Sequence, residues 1–231
     1  TQGVSSAASD VYKRQHLDQA ILASLCREND MYHVRQRCAI LVSRMALTMP
    51  PPTFHDMVRA TTRWPDLCRS LIGTSVILTH ARSRKLVALG LAHILRHASA
   101  EDTGLLSAVP DMIGLWTEVL GEVVEDEAGS ADRYEREMSP TRVLEIGEDG
   151  IPFLDEFGLI EPASTPSSTR TDAVRKRDPA FTVPLRAYVA DTLNTVLQDG
   201  SHKTELQSLL ATIDPLVLDT LQRGLSERPA A

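Results

Sequence analysis

Apolar residues recur every three or four positions along most of the chain from His16 onward, which is the spacing of one face of an α-helix. The first two stripes are formed by Leu17, Ile21, Leu22 and Leu25, and by Val34, Cys38, Leu41, Met45 and Met49. Proline cannot continue a helix, so Pro50-Pro51-Pro52 is predicted to end the second one. No segment alternates apolar and polar residues with a period of two, and the pattern therefore predicts an all-α protein.

One predicted helix, Arg84–Arg96, carries apolar residues around almost its whole circumference. Such a helix has to be packed between neighbours on several sides, and its partner is predicted to begin near Pro110. The segment before it is interpreted as a helix that includes Val76–Leu78 and ends near His80–Arg82.

Two Asp-Pro pairs near the end of the chain are predicted to begin helices. Asp178-Pro179 starts the final helical unit, and Asp214-Pro215 is a cap followed by a first-turn proline. The predicted helices form pairs with a period near ~40 residues, which is expected of HEAT-type hairpins stacked into a solenoid. The predicted fold class is an all-α, HEAT-repeat-like α-solenoid of antiparallel helix pairs with a long acidic loop. Periodicity alone leaves a compact helical bundle open.

The chain is predicted to consist of four segments. Residues 1–15 lack helical period, look like a translated library adaptor and are interpreted as non-native, so we expect native upstream sequence to be missing. Residues 16–124 are predicted to form HEAT-like helical repeats, and residues 181–228 the carboxyl-terminal helices of the solenoid. Between them, residues 125–180 are predicted to be an acidic, partly disordered insertion that includes the Pro/Ser/Thr-rich linker Pro162–Thr169.

The net charge of −7 is unevenly distributed along the chain. Residues 1–98 carry 13 Lys or Arg against 6 Asp or Glu, residues 99–169 carry 3 against 17, and residues 170–231 carry 8 of each. The acidic block can be a solubilising insertion or a surface that attracts basic partners. In the second interpretation, the residues that steer a basic cargo are Glu125, Asp126, Glu127, Glu148, Asp149, Asp155 and Glu156.

The sequence gives no support for catalysis, a metal or a cofactor. Cys26, Cys38 and Cys68 form no CxxC pair and are interpreted as reduced, buried thiols. His93 and His97 have a spacing that can bind a metal, but no third ligand is suggested. Phosphate loops and nucleophile motifs do not occur, aromatic residues make up only 4 %, and no apolar run is long enough for a membrane span. We expect no enzyme, no cofactor, no direct nucleic-acid binding and no membrane insertion.

Two stretches resemble a known family of transport receptors. Arg84–Leu95 resembles the "RKLxALxLxxLL" helix near the carboxyl end of importin-β (karyopherin β) receptors. Arg177–Leu185, with the sequence RDPAFTVPL, is similar to the "KDPVxTVxL" entry to the last helices of the importin-11 group. The spacing from there to Leu225 and an acidic loop between the two stretches also match. Exportin-2 and the importin-7/8 group fit the carboxyl end less well. The resemblance covers most of residues 30–226.

The resemblance implies a carboxyl-terminal fragment of a nuclear import receptor that shuttles between nucleus and cytoplasm as a monomer. Such receptors bind protein cargo, contact Phe-Gly nucleoporins and release cargo when Ran-GTP binds, mainly through an amino-terminal arch that this sequence lacks. The acidic residues here form no long Asp/Glu run, which departs from the family's acidic loop. The alternative hypothesis is a helical-repeat scaffold or adaptor subunit unrelated to nuclear transport.

Overall fold

A computed structural model describes residues 17–27, 31–99, 101–102, 104–122, 178–198 and 203–226. Within these ranges the chain forms helices and turns without a strand, which confirms the all-α prediction. The helices are α1 (residues 17–26), α2 (Tyr32–Thr48), α3 (Pro51–Thr61), α4 (Trp64–Ser75), α5 (Ala81–Arg96), a 3₁₀ turn (Leu106–Ala108), α6 (Val109–Glu122), α7 (Pro179–Thr182), α8 (Leu185–Gln198), α9 (Lys203–Leu210) and α10 (Pro215–Ser226).

The chain divides into two units, and all of these helices except α7 belong to the first. The first unit comprises residues 1–123 and 183–227, and the second comprises residues 124–182 and 228–231. The predicted adaptor-derived segment and most of the predicted acidic insertion lie outside the described residues. The segment boundaries given above therefore stay predictions.

Helix α5 is packed on several sides, as its apolar circumference predicts. It contacts α2, α4, α6 and α8, and its residues 86–92, together with Ile94 and Leu95, are buried. Its predicted partner α6 begins at Val109 and Pro110. Trp116 of α6 is fully buried and donates a hydrogen bond of 3.0 Å from Nε1 to the carbonyl oxygen of Ala88. The core of the first unit is therefore built around α5.

Helix α2 buries a face that differs from the predicted stripe. Its buried residues are Cys38, Ala39, Val42, Ser43 and Ala46. Val34 and Leu41 of the predicted stripe are exposed instead. The reason is the close approach of α5, because a Cβ atom added to Gly90 would lie 3.0 Å from both Cα and Cβ of Ser43. Helices whose backbones come this close need small residues at the contact, so the larger side chains of α2 lie elsewhere.

The predicted continuation of α4 through Val76–Leu78 is wrong. Helix α4 ends at Ser75, Val76 and Ile77 form a turn, and the side chain of Val76 is 68 % exposed. Two side chains of α2 hold this turn through the carbonyl oxygen of Ile77. Tyr32 donates to it from Oη at 2.9 Å, and Gln36 donates from Nε2 at 2.8 Å. These hydrogen bonds replace the intrahelical partner that the carbonyl would otherwise need.

The two Asp-Pro signatures mark helix starts, as predicted. The backbone N–H of Leu216 donates to Oδ1 of Asp214 at 2.8 Å, at the start of α10. In the second unit, the backbone N–H of Ala180 donates to Oδ1 of Asp178 at 3.0 Å, at the start of α7. In both cases the carboxylate accepts from an N–H group that has no partner within the helix.

We expect Gly90→Val to lower the free energy of unfolding by about 1–3 kcal/mol, because the added atoms would push α5 away from α2. Equilibrium unfolding in urea measures this change. Gly114→Ala in α6 is the matched control, since nothing lies within 4 Å of its added Cβ. Relief of the glycine penalty is expected to stabilise that variant by up to about 1 kcal/mol. Equal unfolding midpoints for Gly90→Val and the wild type would contradict the close contact.

Candidate functional site

The seven acidic residues predicted to steer cargo all lie outside the described residues. They are Glu125, Asp126, Glu127, Glu148, Asp149, Asp155 and Glu156. Their role stays a prediction. The described part of the first unit contains two clusters of polar side chains, one around Asp102 and one around His93.

The carboxylate of Asp102, whose side chain is fully buried, accepts several hydrogen bonds from described residues of this unit. Its Oδ1 accepts hydrogen bonds from Arg59 Nε at 2.9 Å and from Trp64 Nε1 at 3.0 Å. Its Oδ2 lies 2.8 Å from His55 Nδ1 and accepts from the backbone N–H and the hydroxyl of Ser99 at 2.8 and 2.9 Å. Five donors thus converge on one carboxylate.

Three elements bring these donors together. His55 and Arg59 lie one turn apart on α3, so their side chains share a face of that helix. Trp64 is the first residue of α4, and Ser99 and Asp102 belong to the turn that follows α5. The Asp102 carboxylate therefore ties the end of α5 to the junction of α3 and α4.

The charge of Asp102 is set by these partners. Burial by itself would raise the pKa of the carboxyl group, but the hydrogen bonds from Ser99, Arg59 and His55 outweigh it and hold that pKa well below its usual range. A carboxylate accepts and cannot donate, so His55 must carry a proton on Nδ1. In a neutral imidazole, Nε2 is then the hydrogen-bond acceptor.

A groove of about 620 Å³ lies beside this cluster. Its lining residues are Pro51, Pro52, His55, Asp56 and Arg59 of α3 and His97, Ser99 and Glu101 after α5. Nη1 of Arg59 donates to Oδ1 of Asp56 at 2.9 Å and to Oε2 of Glu101 at 3.0 Å. One guanidinium group thus spans both sides of the groove, and its Nε remains on Asp102.

A second polar cluster joins α5 to α8. The ring nitrogen Nδ1 of His93 lies 2.5 Å from the hydroxyl of Tyr188, and Nη1 of Arg96 donates to Oδ2 of Asp191 at 2.5 Å. The guanidinium carbon of Arg96 lies 5.7 Å from the centroid of the Tyr188 ring, within cation–π range. The rings of His93 and His97 have centroids 4.5 Å apart.

His93 is held in its neutral form. Burial, followed by the nearby His97, Arg96 and His55, lowers the pKa of His93 to about 4. Its Nε2 is buried and has no hydrogen-bond partner among the described residues. The hydroxyl of Tyr188 occupies the position beside Nδ1 of His93, and the His93 ring contacts His97. The two histidines therefore contribute to helix packing.

Neither cluster has the composition of a metal centre. The described ranges contain no group of three or more His, Cys, Asp or Glu that could hold a metal ion. In the same ranges, no helix is both long enough and apolar enough to cross a membrane. Burial, with smaller contributions from Cys26 and Asp111, raises the pKa of the Cys68 thiol to about 12, so this side chain is not a nucleophile at neutral pH.

The Asp102 cluster is not among the sites predicted from the sequence. His55 and Arg59 are visible as polar residues one turn apart, but their shared partner lies 47 and 43 residues further along the chain. Asp102 itself stands in a short polar stretch, where an acidic residue is ordinarily solvent-exposed. Only the folded arrangement of α3, α4 and α5 distinguishes it.

We expect Asp102→Asn to lower the free energy of unfolding by about 2–4 kcal/mol at pH 7, because an amide cannot accept all five hydrogen bonds and leaves Arg59 without its buried counter-charge. Since the folded-state pKa is depressed, the contribution of Asp102 is full above its unfolded pKa near ~4 and is lost as pH falls through the folded value. Urea unfolding at several pH values should show the two proteins converging in acid. Asp66→Asn, an exposed acid paired with Arg69, is the control and should change stability by less than about 0.5 kcal/mol.

A second expectation concerns His93. The unfolded chain binds a proton at this residue near pH ~6.5, whereas the folded protein does so only near pH 4. Acidification through this window should therefore reduce the free energy of unfolding by up to about 3 kcal/mol. His93→Gln removes the titration and keeps a polar partner for Tyr188, so its stability should fall less between pH 7 and pH 4. Parallel pH profiles for the two proteins would show that His93 is not buried in its neutral form.

The comparisons with known proteins point to one family. A family model described as importin-11-like, TPR repeats, matches residues 2–226. Importin beta-like protein kap113 of Schizosaccharomyces pombe is 25 % identical over 221 residues, which cover 85 % of this chain and 21 % of the relative. No solved structure matches the chain.

These matches agree with the helical architecture. The family model spans both the helices around α5 and the carboxyl-terminal helices α8 to α10. TPR and HEAT repeats both stack helix pairs into solenoids, so the predicted α-solenoid is confirmed. The chain spans about a fifth of the length of the curated relative it matches. It belongs to the importin-11-like family of helical-repeat proteins.

Proposed function

We propose that this chain is part of a nuclear import receptor that binds protein cargo and releases it in response to Ran-GTP. The observation that carries the proposal is the importin-11-like family model, which matches residues 2–226. The relative that covers 85 % of the chain is named as an importin beta-like protein, which supports the same receptor class.

The proposed mechanism is reversible protein binding without catalysis. Stacked helices offer an extended surface on which a partner can be bound through many moderate contacts. The acidic residues between 125 and 156 are proposed to steer basic cargo toward this surface, because opposite charges accelerate association. The receptor is proposed to be a monomer that shuttles between nucleus and cytoplasm and contacts Phe-Gly nucleoporins. Ran is proposed to bind mainly to other parts of the receptor.

The alternative function is that of a scaffold or adaptor subunit unrelated to transport. Helical-repeat folds serve many kinds of protein assembly, so the fold alone does not separate the two functions. The importin-11-like match favours transport, since it extends over both groups of helices. A scaffold would bind its partners regardless of the nucleotide state of Ran.

Affinity capture of protein partners by the full-length receptor that carries this chain tests the proposal. We expect Ran-GTP to displace most of the captured cargo, because the two ligands are proposed to exclude each other, and Ran-GDP at the same concentration to displace little. Quantitative mass spectrometry of the bound fraction measures the difference. Equal capture with Ran-GTP, with Ran-GDP and without Ran would favour the scaffold.

A further inference from the structure

Ser99 connects an exposed position to the buried Asp102 cluster. It belongs to the turn after α5 and is exposed to solvent. Its hydroxyl donates to Oδ2 of Asp102 at 2.9 Å, and its backbone N–H donates to the same oxygen at 2.8 Å. A reagent in solution can therefore reach a side chain that bonds directly to a fully buried carboxylate.

The sequence before Ser99 suits an acceptor of phosphoryl transfer. Protein kinases select substrates by the charge pattern around the acceptor residue, and Arg96 stands three residues before Ser99. The ion-pair partner of Arg96 on α8 is exposed, and such pairs contribute little, so a kinase with an acidic substrate cleft can compete for this arginine. Arg223 and Ser226 have the same spacing but lie within α10, whereas residues 97–99 follow the end of α5.

The groove beside Ser99 has room for a phosphate group. Its volume is about 620 Å³, and Ser99 lines it together with Arg59 and His97. Nη2 of Arg59 lies 3.4 Å from Oγ of Ser99, so a phosphate on this oxygen would lie within reach of the guanidinium group. Arginine pairs readily with phosphate oxygens. Phosphorylation of Ser99 is therefore sterically possible in the folded chain.

Phosphorylation changes the bonding of Asp102 in two ways. In the transfer, Oγ of Ser99 forms a bond to the γ-phosphorus of ATP, the bond from that phosphorus to the leaving ADP oxygen breaks, and the hydroxyl proton passes to the catalytic base of the kinase. The ester oxygen that results has no proton, so it can no longer donate to Asp102. The phosphate also places a charge of about −1.5 to −2 beside this carboxylate, and like charges repel.

The added charge meets a site that already contains several anions. Arg59 contacts the carboxylates of Asp56, Glu101 and Asp102. One guanidinium group would then face a phosphate as well, and it cannot neutralise four anions. A buried carboxylate that loses its partners is strongly destabilising. The bonds that tie Asp102 to α3 and α4 are therefore expected to weaken.

We propose that Ser99 is a phosphorylation site for a kinase directed by Arg96, and that the phosphate loosens the contacts of α3 and α4 with the turn after α5. The proposal goes beyond the proposed transport function and does not depend on it. It assigns a regulatory role to a hydrogen bond that stabilises the unmodified chain.

Incubation of the full chain with ATP and a kinase that selects arginine three residues before serine tests the modification. Tandem mass spectrometry should locate a phosphate on Ser99. Arg96→Gln should slow this phosphorylation about fivefold, the effect of losing one ion pair with the kinase. Asp191→Asn is the matched control, because it breaks the same ion pair within the chain and keeps the arginine. It should be modified at least as fast as the wild type.

The structural effect is tested with Ser99→phosphoserine, introduced during synthesis of the full chain. The chain has two tryptophans, so two indole N–H signals are expected in its NMR spectrum. The signal of Trp64, which donates to Asp102, should shift and exchange faster with solvent, and that of Trp116 should not change. Phosphoserine in place of Ser107, which is exposed and does not contact Asp102, is the control and should shift neither signal.

Urea unfolding separates the charge of the phosphate from the loss of a donor. Phosphoserine at position 99 should raise the equilibrium constant of unfolding about tenfold. Ser99→Ala removes the donor without adding charge, so its unfolding constant should rise less. If the phosphoserine chain does not fold, Ser99→Asp, which adds a single charge, takes its place. Absence of phosphate on Ser99, equal phosphorylation rates for Arg96→Gln and Asp191→Asn, or equal stability of the phosphoserine and alanine chains would overturn the proposal.

Discussion

A helix that is buried on nearly all sides can place charged side chains only near its ends. Helix α5 is such a helix, and the polar contacts of the helices around it are arranged accordingly. Residues 86–92 of α5 are buried. The polar contacts lie near its two ends, where Arg84 pairs with Glu118 and Glu122 of α6, and Arg96 pairs with Asp191 of α8. Hydrophobic burial thus supplies the main stabilisation, and the ion pairs at the two ends of α5 add contacts to α6 and α8.

The constraint also explains why the polar clusters stand where they do. The chain leaves the buried helix at Arg96, and within six residues Asp102 turns back to bond with α3 and α4. A buried carboxylate is tolerated only with several hydrogen bonds, and Asp102 has five. The same turn contains Ser99, so a stabilising contact and the proposed phosphorylation site share their residues.

Periodicity predicts the elements whose environment is simple and misses those that depend on a distant neighbour. The apolar residues around almost the whole circumference of 84–96 correctly predict a surrounded helix, and Asp214-Pro215 correctly marks the start of α10. The buried face of α2 is set by the absence of a side chain at Gly90, and the end of α4 by Tyr32 and Gln36 of another helix. The candidate site was beyond prediction for the same reason, because its donors meet Asp102 only in the folded chain.

The buried thiol of Cys68 can report on local opening of the core. Its side chain is inaccessible, and its high pKa leaves almost no thiolate at neutral pH. Thiol reagents can therefore modify it only during transient opening of α4, whereas the half-buried Cys26 on α1 needs less opening. The labelling rate of Cys68 relative to that of Cys26 therefore reports how often α4 moves away from the helices packed around it.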